Sequence, residues 1–315
     1  MKITVLDSDT MGKDIDFSVL EKFGTVEKFG LTSQEDVTER LKDSNVVILN
    51  KVKLNGEILS RCPQLKLICV FATGFDNIDI DYCGKNNIAV CNVKGYSTDS
   101  VAQITVALVL HLMCNFKNYT NFVSSGRYTE AGMPNKISPV FYELKDKTWG
   151  IVGFGAIGRK VAEIAKAFGC NIIVNKNTPV DEIECVSLEE LCEKSDIITV
   201  HVPLNEKTRG LISAEQIDKM KKGVVLVNVA RGAVFDEEDV TNGVLEGKIG
   251  GLGVDVYSTE PFDKNHPYNK LLDKENVVLT PHMAWAAYEA RNRCLQEIVK
   301  NIESFENKED RNRII

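Results

Sequence analysis

Three ionisable side chains sit just past three apolar runs in the C-terminal half of the chain. "VVLVNVA" leads into Arg231, "GLGVDVYSTEP" carries Asp255 and then Glu260, and "NVVLTP" leads into His282. Each run reads as a buried strand of a parallel sheet, and ligands bind beyond the C-terminal edge of such a sheet. Taken singly, an Arg at a strand tip is ordinarily a surface ion pair, and a His there is ordinarily a hydrogen-bonded core group. Delivered by consecutive strands, the set suits reduction of a carbonyl next to a carboxylate. Arg231 grips the carboxylate with its planar fork. His282, as imidazolium, gives a proton to the carbonyl oxygen as hydride reaches the carbon. Glu260 beside it fixes the tautomer and favours the protonated ring.

The hydride needs a donor, and "GFGAIG" points to one. Gly153, Gly155 and Gly158 lie between the strand "WGIV" and the helix "AIGRKVAEIAKAFG". The first glycine makes the turn, the second admits a pyrophosphate, and the third packs helix on strand. Unpaired N–H groups at the helix start face the phosphates; the alternative is a tight turn with no ligand. Asp255 would then bond the nicotinamide carboxamide. The next strand ends "NIIVNKNTP", so Lys176, between Asn175 and Asn177, stands where an Asp or Glu would select NAD(H). A lysine there admits the 2′-phosphate of NADP(H), or merely points to solvent.

These residues need two sheets to position them. "KITVLD", "GTVEKF", "NVVIL", "LKLICVF" and "IAVCN" read as strands, with "SQEDVTERLKD" a helix capped by Ser33. A long apolar helix runs from Thr98 to about Phe122 and must be buried; residues 124–147, with Gly126, Gly132, Pro134 and Pro139, form an irregular arm. Six strands are expected between 148 and 280, then a last helix over about 285–306 and a solvated tail, "ENKEDRNRII". The fold class is α/β, with two Rossmann-like parallel-sheet domains: a flavodoxin-like substrate domain, 1–98 plus 292–315, and an NAD(P)-binding Rossmann domain, 99–291. A cleft between them would hold the substrate and close to exclude water.

Composition sets limits. With 315 residues, 43% hydrophobic and 26% charged, the chain fits a two-domain soluble enzyme. A net charge of −7 without a basic block argues against nucleic acid, and no apolar stretch reaches bilayer length. The start, "MKITVLDSD", is a strand and not a signal peptide. Nine scattered cysteines without CxxC or Cys/His ligand spacing imply a reducing cytoplasm and no metal.

Over nearly its whole length the chain resembles the D-isomer-specific 2-hydroxyacid dehydrogenases. The matching pieces are "FATGFDNID", "NVKGYSTDSVAQ", "GIVGFGAIG", "HVPLNEKTRGLI", "NVARGAVFDEEDV", "GVDVYSTEP" and "TPHMAWA". The resemblance puts the catalytic trio on Arg231, Glu260 and His282, and a carboxylate-binding loop on Thr73–Gly74. It puts cofactor contacts on Val101, Ala156, Ile157, Pro203, Ala230 and Asp255, and His201 beside the adenine. "VAQ", "AWA" and "NKV" resemble the glycerate dehydrogenase (hydroxypyruvate reductase) branch, where Trp285 would face the substrate's third carbon or else be a core residue. The implied partners are a small 2-oxo or 2-hydroxy acid and a second copy of the chain, through the helix after Thr98 and the 124–147 arm. Lys176 departs from the family's usual NAD preference. Rival readings are a dehydrogenase for a larger 2-oxo acid, a phosphite or formate dehydrogenase, and a dinucleotide-sensing corepressor. An unpaired His would mark formate, and long tails would mark the corepressor. His111 reads as a satisfied buried group, and His266 carries no expected role.

Overall fold

The computed structural model describes residues 1–315 except Asn177 and residues 179–182. It divides into two compact units, Met1–Ser97 with Ala286–Ile315, and Thr98–Trp285.

The first unit holds β1 (Lys2–Val5), β2 (Thr25–Lys28), α1 (Val37–Leu41), β3 (Val46–Leu49), α2 (Gly56–Ser60), β4 (Leu67–Val70), α3 (Ile80–Lys85) and β5 (Ala89–Cys91). All five strands are parallel, in the order β2-β1-β3-β4-β5, which is the flavodoxin-like arrangement. β3 and β4 are buried at every position, as expected of strands covered on both faces. The helix expected after Ser33 is shorter than its sequence suggests: residues 34–36 are turn, and α1 begins after Asp36.

The second unit opens with α4 (Thr98–Met113), α5 (Phe116–Ser124) and α6 (Arg127–Glu130). The single helix expected to Phe122 is therefore broken, with a 66° bend between α4 and α5. Asn115 makes the break in a left-handed conformation (φ 52°), and its amide donates to Val140 O at 3.0 Å. No single helix among the described residues is long and apolar enough to cross a membrane.

Then come β6 (Thr148–Val152), α7 (Ala156–Ala167), β7 (Asn171–Asn175), β8 (Glu184–Cys185), α8 (Leu188–Lys194) and β9 (Ile197–Val200). They are followed by α9 (Ala214–Lys219), β10 (Val224–Asn228), α10 (Glu237–Leu245), β11 (Ile249–Val254) and β12 (Val277–Leu279). The parallel sheet has seven strands, β12-β11-β10-β9-β6-β7-β8, one more than expected, because the two-residue β8 extends the edge beside β7. Side chains alternate between two cores. Ile151, Val225 and Val227 face α4 and α7, while Val152, Leu226 and Val254 face α8, α9 and α10. The chain winds outward from β6 to β8, then restarts at β9 on the other side of β6. That reversal opens a crevice at the C-terminal ends of β6 and β9.

α11 (Tyr288–Glu306) belongs to the first unit, so the division falls before Ala286 and not at 292. Its Asn301 amide donates to Asn92 O at 3.1 Å. The tail is not simply solvated: Ile314 N donates to Val90 O at 2.8 Å and Val90 N to Ile315 O at 3.2 Å, adding a short antiparallel segment to β5. All nine cysteines are unpaired thiols, and burial pushes those of Cys91 and Cys170 up to about 11.

Candidate functional site

The glycine loop lies at the β6–β9 crevice, and each glycine answers a different constraint. Gly153 has φ 94°, and a β-carbon on it would lie 2.7 Å from Val202 Cγ1 and 2.8 Å from His201 O. On Gly158 a β-carbon would lie 2.3 Å from Gly153 O, so helix and strand pack through it. Gly155 is different: a β-carbon there meets nothing within 4 Å. Close backbone contact therefore forbids a side chain at two positions, and open space in front of α7 accompanies the third. Gly155 and Ala156 are exposed, Ile157 is half-buried, and no side chain caps α7. The unsatisfied N–H groups of this twelve-residue helix face that space, which fits a dinucleotide pyrophosphate.

Three of the other expected cofactor contacts, Lys176, Pro203 and Ala230, follow strands at the same edge. Lys176 is half-buried and follows the last residue of β7, whose Asn175 amide donates to Val186 O at 3.0 Å. Its neighbour Asn177 lies outside the described residues. Pro203 is exposed after β9, Ala230 is half-buried after β10, and Val101 lies in the α4 core. His201 stands 3.0 Å (Nε2) from Thr199 Oγ1, which also accepts Trp149 Nε1–H at 3.0 Å. Its Nδ1 is buried with no protein partner among the described residues, and burial pushes the imidazole down to about 3. His111 is not the satisfied group expected: its Nε2 is buried without a partner among the described residues, and burial lowers its pKa.

Glu260 and His282 pair on this unit, and the turn carrying Arg231 packs against the loop carrying Glu260, while the Arg231 guanidinium itself donates to Ala230 O at 2.8 Å. Asn228, at the buried tip of β10, accepts Ala230 N–H at 2.9 Å and donates to Arg231 O at 2.9 Å, fixing the turn that carries Arg231. Gly232 then lets this turn lie directly on Tyr257 and Ser258. Two residues further on, Glu260 Oε1 accepts Tyr257 N–H at 3.0 Å, while its Oε2 lies 2.6 Å from His282 Nδ1. The Glu260 contact occupies Nδ1 and leaves Nε2 as the nitrogen available to a substrate. Both side chains are partly exposed, at 25% for His282 and 30% for Glu260, as a site reached from solvent requires.

His282 itself is left-handed, with φ 54°. Its loop is held by Asp255, which is wholly buried. Asp255 Oδ1 accepts Thr280 Oγ1–H at 2.6 Å and Met283 N–H at 2.9 Å, and Oδ2 accepts Ala284 N–H at 2.8 Å. Asp255 is thus not free in the way the strand-end position suggested. Trp285 also serves this loop, its Nε1–H donating to His282 O at 2.9 Å. Thr73 and Gly74 belong to the first unit, just past β4. Thr73 Oγ1 donates to Val93 O at 2.7 Å, and Thr73 O accepts from the Asn92 amide at 2.7 Å. Among the described residues no His, Cys, Asp and Glu group forms a metal site.

A glycine loop at a sheet reversal, with a His–Glu pair and an arginine following strands of the same sheet, fits a dinucleotide-dependent oxidoreductase. Residues 106–284 match the model of the D-isomer specific 2-hydroxyacid dehydrogenase NAD-binding domain. The chain is 34% identical to a hydroxypyruvate reductase of Blautia hydrogenotrophica, over 97% of each chain. It is 33% identical to a glycerate dehydrogenase of Methylorubrum extorquens, over 96% of each. Among solved structures it superposes with a TM-score of 0.85 on an acyclic imino acid reductase in complex with NADPH and D-Arg, 31% identical over 100% of each chain. The chain belongs to the D-isomer specific 2-hydroxyacid dehydrogenase family. It is an NAD(P)-dependent oxidoreductase acting on the CH–OH group of small 2-hydroxy acids.

Proposed function

We propose that the protein reduces hydroxypyruvate or glyoxylate to the D-2-hydroxy acid, with His282 as proton donor. The observation that carries the mechanism is the 2.6 Å contact between His282 Nδ1 and Glu260 Oε2. When bound, the reduced dinucleotide supplies the hydride. Arg231 holds the substrate carboxylate and aligns the carbonyl. Glu260 accepts from Nδ1, so the imidazolium delivers its Nε2 proton to the carbonyl oxygen as negative charge grows there. In the reverse direction the neutral ring takes that proton back. Asp255 and Trp285 keep the histidine loop in register. On the first unit, the Thr73–Gly74 amides are a proposed anion contact.

Lys176, in place of an acidic strand-end residue, supports the use of NADP(H) alongside NAD(H). The similarity to a hydroxypyruvate reductase and a glycerate dehydrogenase over nearly full length supports a short polar substrate. A homodimer is supported by apolar side chains exposed on α5 and the following arm: Phe116, Val123, Ile137, Val140, Phe141 and Tyr142. Nine unpaired thiols fit a reducing cytoplasm.

The test is loss of reduced-nicotinamide absorbance with hydroxypyruvate, glyoxylate, pyruvate and a branched oxo acid, for the wild type and His282→Ala. Turnover led by hydroxypyruvate or glyoxylate, lost by about a hundredfold or more in the variant with cofactor binding intact, is expected. Unchanged turnover in His282→Ala would remove the mechanism. Silence of the wild type across the panel, with cofactor still bound, would favour the sensing role instead.

A further inference from the structure

Glu237 and His266 lie 29 positions apart and outside the acid–base pair, yet they form a buried polar cluster directly behind it. Glu237 opens α10, where a carboxylate is also favoured by the helix dipole. Its side chain is 8% exposed and that of His266 is 7%. Buried without partners, both groups would be strongly destabilising. Here the partners are supplied: Glu237 Oε1 accepts Ser258 N–H at 2.9 Å, and Oε2 accepts the Ser258 hydroxyl and His266 Nε2–H, the latter at 3.0 Å. The tautomer of His266 follows from its other nitrogen. Nδ1 faces the backbone N–H of Tyr268 at 3.3 Å and therefore accepts, which leaves the ring proton on Nε2, aimed at Glu237.

What the cluster holds is the loop that presents Glu260. Ser258 is gripped at both its backbone N–H and its hydroxyl, and Tyr257, next in the chain, gives its own N–H to Glu260 Oε1. Rings reinforce the same loop: Tyr257 packs on Phe262 at 4.8 Å, Phe262 on His266 at 4.7 Å and His266 on Tyr268 at 5.0 Å between centroids. The Tyr257 hydroxyl then reaches across to Thr280 O at 2.9 Å, two residues before His282. One chain of contacts therefore runs from His266 through Glu237 and Ser258 to Glu260.

We infer that Glu237, oriented by His266, is a positioning residue for proton transfer: by clamping Ser258 it holds the Glu260 carboxylate at hydrogen-bond distance from His282 Nδ1. The inference rests on His282 being the proton donor. Glu237 touches none of the reacting atoms and acts only through Glu260. The groups facing its carboxylate are Ser258, His266 and the phenols of Tyr257 and Tyr268.

The experiment combines Glu237→Gln with Glu260→Gln in a double-mutant cycle. Steady-state kinetics are measured with a 2-oxo acid and saturating reduced dinucleotide, and the low-field proton resonance of the His282–Glu260 pair is recorded on the cofactor-loaded protein. Glu237→Gln keeps the shape but turns an amide toward the Ser258 donors. A fall in kcat of about tenfold or more is expected, with KM changed much less. The double variant should be no slower than Glu260→Gln alone, because both changes remove the same contact. Losses that multiply, or an unchanged kcat, would overturn the inference.

The resonance should shift or vanish in Glu237→Gln; its persistence would overturn the inference without any need for turnover. A wild type that shows the resonance but reduces no oxo acid would instead count against the proposed substrates. Ser258→Ala, which removes one hydroxyl and keeps the backbone donor, is the variant to use should Glu237→Gln fail to fold. It should weaken kcat and the resonance in the same direction, and normal behaviour in both would overturn the inference.

Discussion

A β-carbon on Gly232 would fall 1.9 Å from the carbonyl carbon of Tyr257. The turn carrying Arg231 and the loop carrying Glu260 are therefore in backbone contact, and the arginine is placed relative to the acid–base pair by that contact. Gly232→Ala must push the two apart. It should destabilise the protein by about 1–3 kcal/mol and lower kcat, since overpacking shifts backbone and not only side chains. Urea unfolding and steady-state kinetics measure both; a variant with wild-type stability and kcat would show that the turns are not coupled.

Asp255→Asn tests how the histidine loop is held. The carboxylate accepts three donors from Thr280, Met283 and Ala284, and an amide nitrogen cannot accept any of them. At least one donor loses its partner, at a cost of roughly 1–3 kcal/mol. The left-handed backbone at His282 also needs surrounding contacts to over-determine it. A lowered Tm together with a lower kcat is expected. Full stability with weakened cofactor binding would assign Asp255 to the nicotinamide and not to the loop.

The features legible in the sequence share one property: they are local. Continuous apolar runs marked β10, β11 and β12, so the strand-end positions of Arg231 and His282 followed from counting to the end of each run. The glycine spacing likewise carried the turn, the open space before α7 and the helix packing within six residues. What escaped depends on distant partners or on weak local signals. Asn115 is unremarkable inside an apolar helical pattern, and its left-handed turn becomes visible only with Val140 beside it. β8 is two residues long and has no periodicity to detect. The tail reads as polar by composition, yet its backbone pairs with Val90. Most telling is His266, which looks idle in its loop and gains meaning only from Glu237 on another element.

His201 gives a pH dependence whose sign can be worked out. In the folded chain burial pushes its pKa down to about 3, below the ordinary 6.5. Between those values the unfolded chain holds a proton that the folded chain does not, so acidification favours unfolding. The stabilisation is fully present above 6.5 and is lost as pH falls toward 3, by up to about 1.4 kcal/mol per pH unit for this one proton. His201→Gln cannot titrate, so its stability should fall less steeply over the acidic half of that window. Denaturant melts at a series of pH values measure the slopes. Equal slopes would mean that the folded protein accommodates the imidazolium.

We propose that the cofactor preference turns on Lys176. It follows β7, the strand after the glycine loop, where an acidic side chain would bond ribose hydroxyls and repel a 2′-phosphate. A lysine reverses that electrostatic preference and can give a charge-assisted hydrogen bond to the phosphate, worth about 1.5–3 kcal/mol. Lys176→Asp removes the attraction and adds a repulsion, so the ratio of kcat/KM for NADPH over NADH should drop by roughly tenfold or more. The NADH value alone should hold or rise. Measuring both cofactors on the same preparation separates this from a general loss of activity, which would lower the two together. An unchanged ratio would mean that the ammonium group points to solvent, and that whatever cofactor preference exists is set elsewhere on the β6–β7 edge.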